Sequence, residues 1–217
     1  MSSDRLRLFV AVDIPPDLLD DLNASLAPLR ARPEVWSARW TTAANQHVTL
    51  KFLGWVDAEA VDPVGAAVAS VASSHEPATI TLAGLGAFPS ERRARVLWAG
   101  FDDPAGLLKA LASGLEAALV PLGFGTEKRD FTPHLTLARF KPPASLAGVL
   151  SEEQGVAPAR FDVGHLVLYR SHLHPKGASY EVLGTIPLGA PSKGQEAAHN
   201  TGRMGSDEAI SYSDRGE

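Results

Sequence analysis

A four-residue pattern occurs twice in this chain, once in each half, and it constrains the fold more than any other feature. The pattern reads His-Val-Thr-Leu at 47–50 and His-Leu-Thr-Leu at 134–137. Both copies lie in apolar, β-rich stretches, so each predicts a strand whose His and Thr share one face while the two apolar residues face the other way. The repetition also indicates a duplicated structural unit.

The repeated pattern offers paired proton carriers. If the two predicted strands meet across a cleft, the imidazoles of His47 and His134 and the hydroxyls of Thr49 and Thr136 converge on one small volume. In-line attack at phosphorus needs one proton acceptor and one proton donor, and imidazole can be either near neutral pH. The pattern therefore predicts a phosphodiesterase that works without a metal ion.

Composition narrows the class of protein. The 217 residues are 45% hydrophobic and 21% charged, which is ordinary for a globular protein, and there is no cysteine, which excludes disulfides, a thiol nucleophile and thiolate zinc sites. Neither a long apolar run nor a secretory signal is present, so we expect a cytoplasmic protein with no membrane span. The formal net charge of −5 argues against coating long nucleic acid, but it is compatible with binding one phosphate.

Apolar periodicity predicts the order β-α-β-β-α-β-β-α-β-β-β. The predicted strands are 6–12, 36–41, 46–53, 79–85, 95–101, 133–140, 162–169 and 179–188, and the predicted helices carry apolar stripes within 18–29, 61–71 and 107–119. This order predicts an α+β fold of two lobes, each an antiparallel sheet backed by helices, with the two His strands facing each other across an active-site cleft.

The predicted domain covers residues 1–188. From 189 to 217 the chain has no run of apolar residues at either structural period, so this segment is predicted to be a disordered tail. An ordered tail docked through Ile210 and Tyr212 is the alternative.

Five stretches carry a resemblance to a known family. They are RLFVAV at 7–12, HVTLKFLG at 47–54, RVLWAG at 95–100, FTPHLTLAR at 131–139, and a closing set formed by YRS at 169–171, Gly177, Tyr180, Leu183 and 187–188. These stretches run from residue 7 to residue 188, and the resemblance is taken to cover residues 5–188. In these stretches the chain resembles the two-histidine phosphoesterase superfamily, specifically the bacterial and archaeal RNA 2′,3′-cyclic phosphodiesterases, also called 2′-5′ RNA ligase-like proteins.

The resemblance implies hydrolysis of a terminal 2′,3′-cyclic phosphate on RNA to a 2′-phosphate, with no metal or other cofactor. It assigns His47 and His134 as the catalytic pair and gives Thr49 and Thr136 the task of holding the phosphoryl oxygens. Our hypothesis is that His134 accepts the proton of water and His47 donates a proton to the leaving oxygen, although the sequence leaves this division open. We expect a monomer that acts on RNA 3′ ends or small cyclic nucleotides, with no obligate protein partner.

Two basic residues near the motifs are harder to place. The resemblance makes Arg139 a phosphate contact, yet in a regular strand positions 134, 136 and 138 share a face, so Arg139 would point away unless the strand ends or bulges. Lys51 has the correct parity to share the face of His47. A lysine that reaches solvent from the edge of a lobe is the alternative for Lys51.

Further candidates for RNA contact flank the motifs. Arg92, Arg93 and Arg95 lie in or beside a polar loop and would add positive charge near the cleft, unless they form a merely solvated turn. Phe52, Phe131 and Trp98 could stack on a base of a single-stranded end. Packing in the core is the alternative for Phe52 and Trp98.

A histidine-rich segment near the C-terminal end of the domain does not indicate a metal site. His172 and His174, with His165 nearby in sequence, have no further ligand at a suitable spacing, and structural zinc usually needs four. We interpret this segment as a polar loop before the last strand.

Other functions stay open. Two lie within the same superfamily, namely 2′-5′ RNA ligation and hydrolysis of a small cyclic nucleotide. A third, from another class, is a non-catalytic module that binds RNA ends.

Overall fold

The computed structural model describes residues 5–152, 156–175 and 177–189. The strands are β1 (Arg5–Asp13), β2 (Ala38–Trp40), β3 (His47–Asp57), β4 (Ala78–Phe88), β5 (Ala94–Asp102), β6 (Leu135–Ala144), β7 (Ala159–Val163), β8 (His165–His174) and β9 (Gly177–Pro187). The helices are α1 (Pro16–Ser25), α2 (Ala27–Arg30), α3 (Val61–Ser73), α4 (Leu107–Leu119) and α5 (Ala147–Glu152).

The strands form two antiparallel sheets, and each sheet contains one copy of the repeated motif. The first sheet has the order β3-β1-β8-β9, and the second has the order β2-β6-β5-β4-β7. The motif strands β3 and β6 approach each other. The predicted α+β fold, with two antiparallel sheets and helices packed on them, is therefore confirmed.

The two faces of each sheet have different neighbours. In β1, Leu8, Val10 and Val12 belong to a core that continues through both sheets and the buried sides of α3 and α4. Phe9 and Ala11 are also buried, but they lie on the opposite face, which carries His47 and Thr49. We call the face of each sheet that carries the motif Thr its cleft face and the other its core face.

The first motif strand contains a β-bulge directly after the motif. Thr49 pairs with Ala11 and Lys51 pairs with Val10, so Leu50 is an extra residue between two adjacent rungs. A bulge reverses the alternation of side chains along the strand. As a result Lys51 lies on the core face, and the next residue, Phe52, returns to the cleft face.

The second motif strand has a bulge at the same position relative to its motif. Thr136 pairs with Trp98 and Ala138 pairs with Leu97, so Leu137 is the extra residue. Leu137 and Ala138 are both fully buried on the core side. The residue after them, Arg139, therefore lies on the same face as Thr136.

Several element boundaries differ from the prediction. β6 continues through 141–144, because its last residues still pair with the start of β5. The first predicted helix is two helices, α1 and α2, with Leu26 between them, and α5 was not predicted. β2 is shorter than predicted and leaves Trp36 exposed before it.

The predicted strand at 162–169 is in fact two strands. β7 and β8 are separated at Gly164 and belong to different sheets. The predicted polar loop at 172–174 is also wrong, because these residues are in β8 and pair with β9 at the edge of the first sheet. Their backbone groups are satisfied by that ladder while the polar side chains remain at the surface.

Gly189 is the last described residue, and its amide donates to the carbonyls of Ala72 and His75. The rest of the predicted tail, 190–217, lies outside the described residues. Within the described part of the chain, no helix combines the length and the apolar character that a membrane crossing requires.

Candidate active site

His47 begins β3 and is surrounded by aromatic rings. It lies opposite Asp13 in the ladder, and its imidazole stacks on Phe9 with ring centroids 4.8 Å apart. Tyr169 is stacked at 5.8 Å, and Tyr180 meets the imidazole edge-on at 5.1 Å. Burial among these rings disfavours the imidazolium form and lowers the pKa of His47 to about 4. In the ligand-free protein, His47 is therefore neutral at pH 7.

A hydrogen bond fixes the aromatic wall beside His47. The hydroxyl of Tyr169 donates to Asp13 Oδ1 at 2.8 Å. Burial and, after it, this contact with Asp13 raise the pKa of Tyr169 well above its ordinary value. Tyr169 therefore stays protonated and holds its ring against His47.

His134 lies immediately before β6, and a backbone carbonyl determines its tautomer. Its Nδ1 is 2.8 Å from the carbonyl oxygen of Thr132. A carbonyl can only accept a hydrogen bond, so Nδ1 carries the proton and donates it. In the neutral imidazole, Nε2 is then the atom with the free lone pair. Phe88 and Trp98 contact the ring edge-on, with centroids 5.0 and 6.5 Å away.

The pKa of His134 is also below its ordinary value. Burial has the largest effect, the hydrogen bond to Thr132 opposes it, and the positive charge of Arg139 lowers the pKa further. Burial therefore favours the neutral form of both histidines before any ligand binds. An anion in the cleft would raise the pKa of both.

The two motif threonines share the cleft faces with the histidines. Thr49 pairs with Ala11 and Thr136 pairs with Trp98, and both are partly exposed. Each sheet therefore presents one imidazole and one hydroxyl from consecutive same-face positions of a single chain segment. Such a set can exchange protons and donate hydrogen bonds to an oxyanion.

Arg139 lies on the cleft face, because β6 contains the bulge that the parity argument allowed as an exception. The bulge at Leu137 adds one residue between Thr136 and Arg139, and the side chain of Arg139 is exposed on the same face as Thr136. The positive charge of Arg139 lowers the pKa of His134, as expected for residues that are close in space.

Lys51 does not share the face of His47, and the parity argument for it was wrong for the same reason. Its side chain is only 7% exposed, and Nζ contacts Glu116 Oε2 at 2.5 Å and the carbonyl oxygen of Gly125 at 2.7 Å. The hydrogen bond from Lys51 is the main reason that the pKa of Glu116 is lowered. Lys51 is thus neither a cleft residue nor an edge lysine that reaches solvent, but it joins β3 to α4.

The aromatic candidates occupy different places. Phe52 is 62% exposed on the cleft face and its ring lies 5.9 Å from that of Phe9, so the core-packing alternative for Phe52 was wrong. Phe131 and Trp98 line a cavity of about 600 Å³ that reaches Lys109 of α4. Thr132 and Pro133 also line this cavity. Trp98 is therefore half-buried beside His134 rather than part of the core.

The basic loop residues are exposed. Arg92 and Arg93 lie in a 3₁₀ turn, Glu91–Arg93, and Arg95 lies near the start of β5. The arginine whose charge acts on His134 is Arg139, not any of these three.

The three histidines of β8, at 165, 172 and 174, lie outside the two motifs. In β8, His172 contacts Glu181 Oε2 at 2.8 Å and His174 contacts Ser179 Oγ at 3.1 Å. Among residues 5–152, 156–175 and 177–189 there is no group of three or more His, Cys, Asp or Glu side chains that could hold a metal ion.

The residues around the two imidazoles were not predicted from the sequence. Phe9, Tyr169 and Tyr180 surround His47, and Phe88 contacts His134. All four come from strands other than the motif strands. Local sequence does not determine which strands pair. The one signal that could have pointed to these residues was their aromatic character.

Comparisons with known proteins agree with this geometry. The family model described as the 2′-5′ RNA ligase superfamily matches residues 15–175. An RNA 2′,3′-cyclic phosphodiesterase from Methanothermobacter thermautotrophicus is 32% identical, over 81% of this chain and 95% of the relative.

Solved structures show the same fold. A protein from Thermus thermophilus has a TM-score of 0.68 and 30% identity, covering 84% of this chain and 98% of that one. Escherichia coli LigT, solved in complex with 3′-AMP, has a TM-score of 0.69 and 28% identity, covering 85% of this chain and 99% of that one. The resemblance seen in the sequence is confirmed, and the chain belongs to the 2′-5′ RNA ligase superfamily.

Proposed function

We propose that this protein is an RNA 2′,3′-cyclic phosphodiesterase that opens a terminal 2′,3′-cyclic phosphate to a 2′-phosphate. The observation that carries the proposal is the matched pair of imidazole and hydroxyl groups, one pair on the cleft face of each sheet. Relatives that bear this functional name support the proposal.

The reaction needs two proton transfers. The oxygen of water attacks phosphorus while Nε2 of His134 takes its proton, and the bond from phosphorus to O3′ breaks. His47 in its protonated form gives a proton to O3′, which leaves a 3′-hydroxyl and a 2′-phosphate. The donation from His134 Nδ1 to Thr132 supports this division, because it leaves Nε2 free to accept.

The role of His47 depends on the substrate. Burial lowers the pKa of His47 to about 4, so the free protein carries little of the imidazolium form near pH 7. An anionic phosphate in the cleft stabilises that form and raises the pKa. The substrate thus brings with it the charge that allows His47 to be protonated.

The negative charge of the transition state needs donors that are already in position. In the proposal Thr49 and Thr136 hold the phosphoryl oxygens, and Arg139 adds a cation on the same side as Thr136. The exposed, cleft-facing position of Arg139 supports this role.

The nucleotide itself would occupy the space beside His134. The cavity of about 600 Å³ is lined by Trp98, whose ring contacts His134, and its volume is within the range of small-molecule sites. Phe131 on its wall and the exposed ring of Phe52 are candidates for stacking on bases, and Arg92, Arg93 and Arg95 would add a diffuse attraction for RNA. The proposal includes the monomeric state and the cytoplasmic location that the sequence predicts.

The test is a product assay. The protein is incubated in EDTA with a short RNA that ends in a 2′,3′-cyclic phosphate, and the product isomer is identified. We expect a 2′-phosphate at an unchanged rate with EDTA. A 3′-phosphate would reverse the assignment of the leaving group, and dependence on added metal would reject the two-histidine mechanism.

The same assay addresses the alternatives. By microscopic reversibility, a ribose hydroxyl can replace water and produce a 2′-5′ linkage, so a 5′-hydroxyl RNA is included in one reaction. Joined product in excess of hydrolysed product would make ligation the main activity. Binding of the RNA end without either product would identify a non-catalytic module.

A further inference from the structure

Arg39 and Arg139 lie directly opposite each other in the second sheet. The ladder between β2 and β6 pairs Arg39 with Arg139, flanked by Ala38 with Phe140 and Trp40 with Ala138. Residues that are directly opposite in an antiparallel ladder project from the same face. The two arginine side chains therefore start from neighbouring positions on one face of the sheet.

The face they share is the cleft face. Ala138 and Phe140 are buried on the core face, and Trp40 packs against the same core. Arg39 and Arg139 alternate with these residues and are exposed. Arg39 thus extends the row of cleft-face side chains outward from Thr136 and Arg139 to the edge strand.

Two like charges placed directly opposite each other destabilise a sheet. In the described part of the chain, no ion pair or hydrogen bond between a carboxylate and either arginine offsets this repulsion. The chain has 25 acidic residues and only 20 Lys and Arg, so the lack of a carboxylate partner for this pair does not reflect a shortage of acidic residues. A bound anion would turn the repulsive pair into a favourable one, because each guanidinium offers a fork of donors to phosphate oxygens.

We propose that Arg39, together with Arg139, binds a second phosphate of the substrate, the one on the 5′ oxygen of the terminal nucleoside. The inference rests on the proposed function and extends it, since it makes the enzyme prefer ends that carry this phosphate over bare cyclic nucleosides. Arg39 is then a specificity-determining residue that touches the substrate away from the reacting bonds.

The spacing fits this role. Thr136 pairs with Trp98 and Arg139 pairs with Val96, so Thr136 and Arg139 are two ladder steps apart, which is about 7 Å along the strand. Consecutive phosphates of an extended nucleic-acid strand are separated by a comparable distance. In the proposal Arg139 lies between the two phosphates, and Arg39 lies beside it on the neighbouring strand β2.

Three substrates distinguish recognition of the 5′-phosphate from recognition of the nucleoside that precedes it. They are adenosine 2′,3′-cyclic phosphate, the same compound with a 5′-phosphate, and the dinucleotide ApA ending in a 2′,3′-cyclic phosphate. For Arg39→Ala we expect kcat/KM to fall about tenfold on the second and third substrates and to stay unchanged on the first. Turnover of the first substrate shows that the variant is folded, and Arg39→Gln replaces Arg39→Ala if that variant does not fold.

The matched control is Arg160→Ala. Arg160 is an exposed arginine in β7, at the opposite edge of the same sheet, and its removal changes the net charge equally. We expect no change in kcat/KM on any of the three substrates for this variant. Equal losses in Arg160→Ala and Arg39→Ala would mean that only overall charge matters, which would overturn the inference.

Other patterns would overturn it as well. An equal loss of kcat/KM on all three substrates would mean that Arg39 acts on the reacting phosphate or on folding. No loss of kcat/KM on any substrate would mean that Arg39 does not bind the substrate. A loss confined to the dinucleotide would mean that the preceding nucleoside, and not the phosphate, is recognised.

Calorimetry separates this inference from the proposed function. If the unmodified protein hydrolyses none of the substrates, the proposed function fails, but the binding of adenosine 2′-phosphate and of adenosine 2′,5′-bisphosphate can still be compared. We expect the bisphosphate to bind more tightly and Arg39→Ala to abolish the difference. Equal affinities in the unmodified protein would reject the second phosphate site.

Discussion

Thr136 and Arg139 project from the same face of β6 across a β-bulge in which Leu137 is the extra residue. Thr49 and Phe52 have the same relation in β3, where Leu50 is the extra residue. Each motif therefore adds a third cleft-face side chain to its His and Thr. The third side chain is a cation in the second sheet and an aromatic ring in the first.

Removal of Arg139 should change the titration of His134. The charge of Arg139 lowers the pKa of His134, so Arg139→Ala is expected to raise that pKa, while Arg139→Lys should retain most of the lowering. The measurement is an NMR titration of the imidazole signals. Arg92→Ala is the control with the same loss of charge, and an equal change in both variants would mean that Arg139 has no special proximity to His134.

The tautomer of His134 can be observed directly. The donation from Nδ1 to the carbonyl oxygen of Thr132 requires that the neutral ring carry its proton on Nδ1. Long-range ¹H–¹⁵N NMR spectra at pH 8 should therefore show an unprotonated Nε2. A proton on Nε2 at this pH would contradict the assignment of His134 as a base that is ready to accept.

Phosphate binding should be accompanied by proton uptake at His47. The pKa of His47 is about 4 in the free protein, and a bound anion raises it, so the ring gains a proton on binding near neutral pH. By linkage, the affinity for adenosine 2′-phosphate rises as pH falls from 7 towards 5. Calorimetry in two buffers of different ionisation enthalpy measures the uptake. We expect it to decrease in His47→Gln, and equal uptake in both proteins would contradict the account.

Lys51 should matter for stability and not for catalysis. Its ammonium group is buried against Glu116 on the core face, so Lys51→Ala leaves a carboxylate without its main partner. Glu116 is about a quarter exposed, so we expect the free energy of unfolding to fall by roughly 1–3 kcal/mol, less than for a fully buried pair. Urea unfolding measures this change, and kcat/KM per folded molecule should stay within twofold. A large loss of kcat/KM would mean that Lys51 does take part in catalysis in the cleft.

The sequence predicts the motif strands and the faces of their His and Thr residues, because alternation along a strand is a local property. It also predicts α3 and α4, whose apolar stripes reappear as buried sides. It does not predict the bulges, since neither Leu50-Lys51 nor Leu137-Ala138 has a glycine or another local signal of one. The positions of Lys51 and Arg139 both depend on these bulges.

Contacts between strands also could not be predicted from the sequence. The pairing of Asp13 with His47 and of Arg39 with Arg139 depends on strand order and register. These are set by the packing of the whole domain and not by neighbouring residues. The separation of β7 from β8 also depends on strand pairing, because the chain passes from one sheet to the other at Gly164.

The most direct test of the central claim, catalysis by two imidazoles, is the pH dependence of kcat/KM on a short RNA that ends in a 2′,3′-cyclic phosphate. We predict a bell-shaped curve whose maximum lies on the acid side of neutral, because the pKa values of both His47 and His134 are lowered in the free protein. His134→Ala should lose the acid limb and His47→Ala the alkaline limb, and each should lower the maximum by about 10²–10⁴-fold. A monotonic curve in the unmodified protein, with full activity in either alanine variant, would contradict the account.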